Sequence, residues 1–171
     1  VHCQITNPRI LQGMKDQDLL AYIQPVFIDL DMNTVEPAIG AQRMDKVYAW
    51  KSMLDMGIHT SGGSDAPVVS FDAMENIYFA VTRKNISGQP QEGWIPSEKI
   101  SVDEAVKLFT KNAAYASYTE DENGTIEVGK NADFVVLEKN IYEIDPDEIK
   151  ATKVDMTVLG GEIVYERKVE E

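Results

Sequence analysis

Cysteine occurs once, at Cys3, and histidine twice, at His2 and His59, in a chain of 171 residues. A single thiol closes no internal disulfide, which fits a reducing compartment and places the protein in the cytoplasm. Basic residues are few beside acidic ones, 16 against 29, and the resulting net charge of −13 repels nucleic-acid phosphates and anionic membrane surfaces. Neither nucleic acid nor a membrane is therefore expected as a partner. No apolar run approaches the roughly 20 residues that cross a bilayer. An initiator methionine and a signal peptide are missing too, and a chain opening on Val1-His2 reads as an interior stretch of a longer protein. Internal repeats and low-complexity tracts do not occur. What is present suits a folded protein: 43% hydrophobic residues can build a sizeable core in one domain or in parts of two.

The most informative stretch is Gly62-Gly63-Ser64-Asp65-Ala66-Pro67-Val68. It follows Gly57-Ile58-His59-Thr60-Ser61, which reads as a buried strand, so Asp65 is expected just past a strand end. Glycines at 62 and 63 permit close backbone approach or an unusual φ, and Pro67 stops regular pairing. Two readings stay open from these residues: a carboxylate presented for chemistry, or Ser64 and Asp65 capping a helix expected from about Phe71 to Lys84. His2 sits at a second strand-to-loop transition, ahead of Cys3-Gln4-Ile5-Thr6-Asn7-Pro8. Between His2 and Asp65 lies a third apolar run, Tyr22 to Ile28, also expected as a strand. Helices are expected at Lys15 to Ala21 and Gly40 to Met56, the latter closed by Gly57. Strands alternating with helices mark an α/β fold.

The intervening loop carries Asp29, Asp31, Asn33 and Glu36, but without the regular spacing of a calcium loop, so it reads as solvated loop or substrate rim. The helix from Phe71 is apolar at Met74, Ile77, Tyr78 and Val81, and a Gly/Pro/Trp loop over Ser87 to Pro96 follows it. Trp94 reads as the anchor of that loop rather than a stacking platform. Ser101 and Glu104 form a capping box ahead of a helix reaching Ala113. Beyond Asn123-Gly124 the character turns to β, with a strand over Ala132 to Leu137. A hairpin of Val154 to Leu159 and Glu162 to Tyr165 is joined by Gly160-Gly161. Lys168 to Glu171 is a charged tail.

Taken together, His2-Cys3-Gln4, Gln24-Pro25, Gly40-Ala41-Gln42-Arg43, Gly63 to Val68, Ala80-Val81-Thr82-Arg83, Asn112-Ala113-Ala114 and Gly124 to Leu137 resemble the amidohydrolase superfamily. The likeness is to the YtcJ-like branch, amidohydrolase family 3, and it runs from the first residue to about Tyr165. It implies the C-terminal part of a (β/α)8 TIM-type barrel over residues 1–121, with strands six to eight ending near His2, Phe27 and Asp65. Residues 122–171 would form part of a small composite β-sandwich. The implied activity is hydrolysis of a C–N bond other than a peptide bond, in a small amide or cyclic imide, through a metal-activated water. The resemblance makes His2 a ligand of a divalent metal, zinc in most of the family, and Asp65 both a ligand and the catalytic proton acceptor. Gln24 and Ser64 fall beside them, touching a ligand or the substrate. His59 matches no family ligand and reads as packed or hydrogen-bonded, and Arg43 and Arg83 read as surface or structural residues.

The family's remaining metal-binding residues, a His-x-His, a bridging Lys and a further His, have no counterpart in these 171 residues. The resemblance therefore makes the rest of a parent chain a partner of this one and leaves the piece alone inactive. An incomplete barrel would expose helix faces and a strand edge and self-associate as a homo-oligomer. The alternative is a non-catalytic, self-associating fragment or interaction module.

Overall fold

The computed structural model describes residues 1–168; of the charged tail expected at 168–171, residues 169–171 lie outside the described residues. The chain runs α1 (Pro8–Asp16), β1 (Ala21–Ile23), α2 (Phe27–Asp31), α3 (Val35–Ile39), a 3-10 turn (Ala41–Lys46), α4 (Trp50–Asp55) and β2 (Thr60–Gly62). It continues with α5 (Ala73–Thr82), a 3-10 turn (Pro96–Glu98), α6 (Val102–Leu108) and α7 (Lys111–Ala116). The last elements are β3 (Phe134–Leu137), a 3-10 turn (Pro146–Ala151), β4 (Val154–Leu159) and β5 (Glu162–Glu166). Two sheets result. β1 and β2 pair in parallel, Ala21 with Thr60 through Ile23 with Gly62, whereas β3, β4 and β5 form an antiparallel sheet in that order.

A parallel pair needs a crossover, and α2 through α4 supply it, packing Ile28, Val35, Trp50 and Met53 into the core beside Ala21 and Ile23. α5 is buried nearly all round, because α6 packs against it on one side and the turn at 146–151 on another. Lys84 Nζ lies 2.6 Å from Asp147 Oδ2, Lys150 Nζ donates to Ile86 O at 2.7 Å, and the same ammonium sits 4.4 Å over the Tyr78 ring. Asn76, fully buried in α5, accepts from Val26 N at 3.1 Å and donates to Asp72 O at 2.9 Å, tying α5 to the turn after β1.

The buried Arg83 ends α5 in the left-handed region, φ +54°, and its guanidinium reaches back into the core. Nε donates to Trp94 O at 2.6 Å and Nη1 to Tyr48 O at 2.9 Å, while Cζ lies 4.6 Å from the centroid of Trp50 and 5.6 Å from that of Trp94. Burial lowers this group to about 10, so the charge is retained at neutral pH. Trp94 is thereby the anchor of the loop from Ser87 to Pro96, its own N–H donating to Arg83 O at 2.7 Å.

Several expected elements move. The helix read at Lys15 to Ala21 lies instead at Pro8–Asp16, where Asn7 accepts from Ile10 N and Pro8 opens the first turn. The run Tyr22 to Ile28 is strand only to Ile23; Pro25 offers no N–H to a ladder, and Phe27 begins a helix. The helix expected over Gly40 to Met56 breaks at Val47-Tyr48-Ala49, with Tyr48 at φ +49°. There Val47 bridges Ile5 and Tyr48 N donates to Gln4 O at 2.8 Å, tertiary bonds that override the helical periodicity. No strand ends near His2 among the described residues; Ile5 makes only that isolated bridge. The helix expected from Ser101 to Ala113 is split at Thr110, φ −127° and ψ −99°, into α6 and α7.

The capping box is present in full, Ser101 Oγ accepting from Glu104 N at 3.1 Å and Glu104 Oε2 accepting from Ser101 N at 2.7 Å. Ser101→Ala is expected to cost about 1 kcal/mol, the usual value of an N-cap hydroxyl, in urea or thermal unfolding.

Candidate active site

The parallel pair fixes where the candidate residues emerge. Ile23 and Gly62 are register partners and Gly63 N donates to Ile23 O at 2.9 Å, so Gln24 and Ser64-Asp65 leave the sheet side by side, at the C-terminal ends of their strands. His2 is brought to the same place from the chain start. Its Nδ1 lies 2.9 Å from Gln24 Oε1, and its ring stacks on Phe27 at a centroid distance of 5.7 Å and an angle of 25°. A carboxamide oxygen only accepts, so Nδ1 donates in this contact, and in the neutral imidazole that leaves the lone pair on Nε2. His2 and Cys3 both sit in the left-handed region, φ +65° and +54°, where side chains other than glycine's are strained.

Asp65 is exposed and also left-handed, φ +63°. Its carbonyl accepts from Val68 N at 2.9 Å, and Ser64 Oγ accepts from Ala66 N at 3.2 Å, so the turn is held by its own backbone and leaves the carboxylate outside it. The cap of α5 is Asp72, whose Oδ1 accepts from Met74 N at 2.8 Å and Glu75 N at 3.3 Å. Neither Ser64 nor Asp65 is spent on capping. Gly62 has a packing reason: a Cβ there would stand 2.7 Å from the Phe109 ring, so the strand end can approach α6 only as glycine. Gly63 faces open space and needs no such explanation.

Other titratable residues have structural partners. His59 stacks on Tyr115 at 4.2 Å between centroids but is exposed, so it is a surface histidine lying on a tyrosine ring rather than the packed or hydrogen-bonded one expected. Asp29 accepts from Ile86 N at 2.7 Å, and Asp31 accepts from Gln4 Nε2 at 2.7 Å and from Tyr48 Oη. The acidic segment from Asp29 to Glu36 is therefore folded into α2 and α3 rather than open as a loop. Burial, reinforced by the Asp31 carboxylate it donates to, drives the Tyr48 hydroxyl far above its ordinary range. Arg43 is on the surface and Arg83 in the core, away from this strand end. Sequence reasoning missed the grouping of Gln4, Asp31 and Tyr48; the only signal pointing toward it is the position of Gln4 two residues after His2.

An imidazole with a free Nε2 and an exposed carboxylate, emerging at one end of a parallel pair, are donors that suit a divalent cation. They are two, and a catalytic zinc takes three protein ligands. Among the described residues no group of three or more His, Cys, Asp or Glu side chains is arranged to hold a metal, and no hydrogen bond or ion pair joins His2 to Asp65. These residues fit a share of a metal site, not the whole.

A family model described as "Amidohydrolase family" matches residues 1–165. YtcJ of Bacillus subtilis strain 168 is 34% identical over 167 residues, which is 98% of this chain and 32% of YtcJ. The N-substituted formamide deformylase of Arthrobacter pascens is 35% identical over 122 residues, 71% of this chain and 22% of the deformylase. Among solved structures, an uncharacterised metal-dependent hydrolase from Pyrococcus horikoshii superposes with a TM-score of 0.76 at 20% identity, covering 85% of this chain and 29% of that one. Ochratoxinase from A. niger does so with a TM-score of 0.67 at 19% identity, covering 99% and 37%. The chain thus spans about a third or less of the curated relatives it matches first. No helix among the described residues is long and apolar enough to cross a membrane. With the match running from residue 1 to residue 165 and the likeness to YtcJ extending over nearly the whole chain, this protein belongs to the amidohydrolase family.

Proposed function

We propose that the full-length protein is a divalent-metal-dependent hydrolase of C–N bonds other than peptide bonds in small molecules, cytoplasmic, with His2 and Asp65 as the part of its site carried here. The observation that supports this most is that Gln24, which contacts His2, follows the end of β1 while Asp65 lies three residues past Gly62, the paired end of β2, at the end where parallel α/β barrels place their reacting groups. In this reading β1 and β2 are the seventh and eighth barrel strands, residues 1–121 belong to the barrel, and 122–171 belong to a composite β-sandwich. The deformylase relative favours an amide-type substrate such as an N-substituted formamide, with cyclic imides as the second class.

A zinc or similar ion, when bound, supplies Lewis acidity that brings a coordinated water toward neutrality and polarises a carbonyl. His2 would hold it through Nε2, with Gln24 fixing the tautomer and Phe27 the ring plane. Asp65 would coordinate through one oxygen, take the proton as the nucleophile forms, and return it to the leaving nitrogen. Ser64 would hold the turn that aims Asp65. Removing metal from the full-length protein with a chelator is expected to abolish hydrolysis of N-substituted formamides or cyclic imides, and readdition of zinc to restore it. Hydrolysis that survives complete metal removal would overturn the reading.

A second reading concerns the 171-residue chain alone. β3 is apolar on both faces, yet Phe134, Val135 and Val136 are 37%, 54% and 42% exposed, and Ile163 and Val164 on β5 are 58% and 57% exposed. A sheet apolar on both sides seeks cover on both. Produced by itself, the chain is expected to self-associate, read by light scattering as a mass above its own 19.1 kDa.

A further inference from the structure

We infer that Asp31 and Tyr48 are positioning residues for His2, acting through Gln4; the inference rests on the reading of His2 as a metal ligand. Gln4 Nε2 donates to Asp31 Oδ2 at 2.7 Å and to Tyr48 Oη at 2.9 Å, and Tyr48 Oη donates to the same Asp31 oxygen, closing a triangle. The backbone follows the side chains. Tyr48 N donates to Gln4 O at 2.8 Å, Ile5 bridges Val47, and Thr6 donates to Lys46 O through both N, at 3.1 Å, and Oγ1, at 2.7 Å. Residues 4–6 are thus zipped to 46–48, which is the stretch where the helical pattern breaks.

α2 grips this segment at both ends. Its first residue, Phe27, lies under the His2 ring, and its last, Asp31, holds the Gln4 amide, with only Cys3 between the two gripped side chains. That grip accounts for the strained backbone: two successive left-handed residues without a glycine persist only where their surroundings over-determine them. The chemistry of position 48 points the same way. Tyr48 is fully buried, and phenylalanine would fill the same volume with no polar atom to satisfy, so the hydroxyl is explained by its two partners and not by packing. A rigid Gln4 leaves His2 little freedom except to present Nε2 at the end of β1.

The test uses the full-length protein and reads zinc affinity by competition with a chelating indicator, alongside thermal unfolding. Tyr48→Phe and Asp31→Ala are expected to lower zinc affinity about 10- to 100-fold, as lost outer partners of metal ligands do. Asp31→Asn, which keeps an oxygen for both donors, is expected to recover most of that affinity. Ser101→Ala, a cap lost elsewhere, should lower the unfolding temperature without changing zinc affinity. Turnover in Tyr48→Phe should fall in kcat with KM little changed. If Asp31→Ala does not fold, Tyr48→Phe, which removes a single oxygen, decides the matter. Wild-type zinc affinity in Tyr48→Phe, or a loss that merely tracks unfolding temperature across all variants including Ser101→Ala, overturns the inference. His2→Asn separates the two levels: if it keeps wild-type affinity, the ligand reading falls and this one with it. If it loses zinc while Tyr48→Phe and Asp31→Ala do not, only the positioning role falls.

Discussion

In the full-length protein, Asp65→Asn lowers kcat by about 10²- to 10⁴-fold, the span usually lost with a general base, while the fold and its unfolding temperature stay close to wild type. The two halves of that expectation come from different observations. The carboxylate is exposed and caps no helix, since Asp72 does that for α5, so stability does not depend on its charge. The turn it sits in is closed by Val68 N on the Asp65 carbonyl and by Ala66 N on Ser64, neither of which a carboxamide disturbs. What asparagine cannot do is take up a proton and return it to a leaving nitrogen. Steady-state kinetics on an N-substituted formamide, with circular dichroism as the control for folding, checks both halves. Wild-type kcat in Asp65→Asn would remove Asp65 from the proton path and leave at most a ligand role.

The largest loss of stability is expected in the core. Arg83→Ala strands the carbonyl of Trp94 without its donor, at about 1–3 kcal/mol, and takes one of two donors from the carbonyl of Tyr48, which Trp50 N still reaches at 2.8 Å. It also removes the cation from between the Trp50 and Trp94 rings, where a desolvated contact contributes up to about 2 kcal/mol, and leaves a void. Relief works in the other direction: burying the guanidinium is itself unfavourable, and its Nη2 is buried with no partner. The lost donors and the void outweigh that relief, and the expected net change is about 4 kcal/mol. Arg83→Met, which keeps the volume and sheds the charge, isolates the polar share and is expected to cost about half as much, or about 2 kcal/mol. Equal losses in the two variants, measured by urea unfolding, would mean that packing contributes nothing and the hydrogen bonds everything.

Local chemistry was legible where it decides structure alone. Ser101 and Glu104 announce a capping box and make one, and Gly160-Gly161 announces a hairpin between β4 and β5. Asp65 was readable as an acid past a strand end because Gly62, Gly63 and Pro67 flank it. The errors cluster where distant residues decide. Tyr48 sits in a stretch patterned like a helix, and nothing near it reveals that Gln4 and Asp31 will draw it into a left-handed break. The His2–Gln24 contact joins residues 22 apart, and only the fold sets it. The strand read over Tyr22 to Ile28 ends early for a nearer reason, the missing N–H of Pro25, which is plain in the sequence. Families constrain what locality cannot: the resemblance names His2 and Asp65 together, whereas the parallel register of β1 and β2 sets only Ile23 beside Gly62 and Gly63.

The bond from Gly63 N to Ile23 O joins the two strand ends without using a single side chain. The segment from Ala66 to Phe71 is bounded by one turn at Asp65 and one cap at Asp72; within it Val69 packs against the core and Ser70 Oγ accepts from Asp72 N at 3.2 Å, whereas Val68 and Phe71 are 68% and 86% exposed. A library randomised at Val68 and Phe71 would therefore vary the surface that follows Asp65 while leaving the strand pairing untouched.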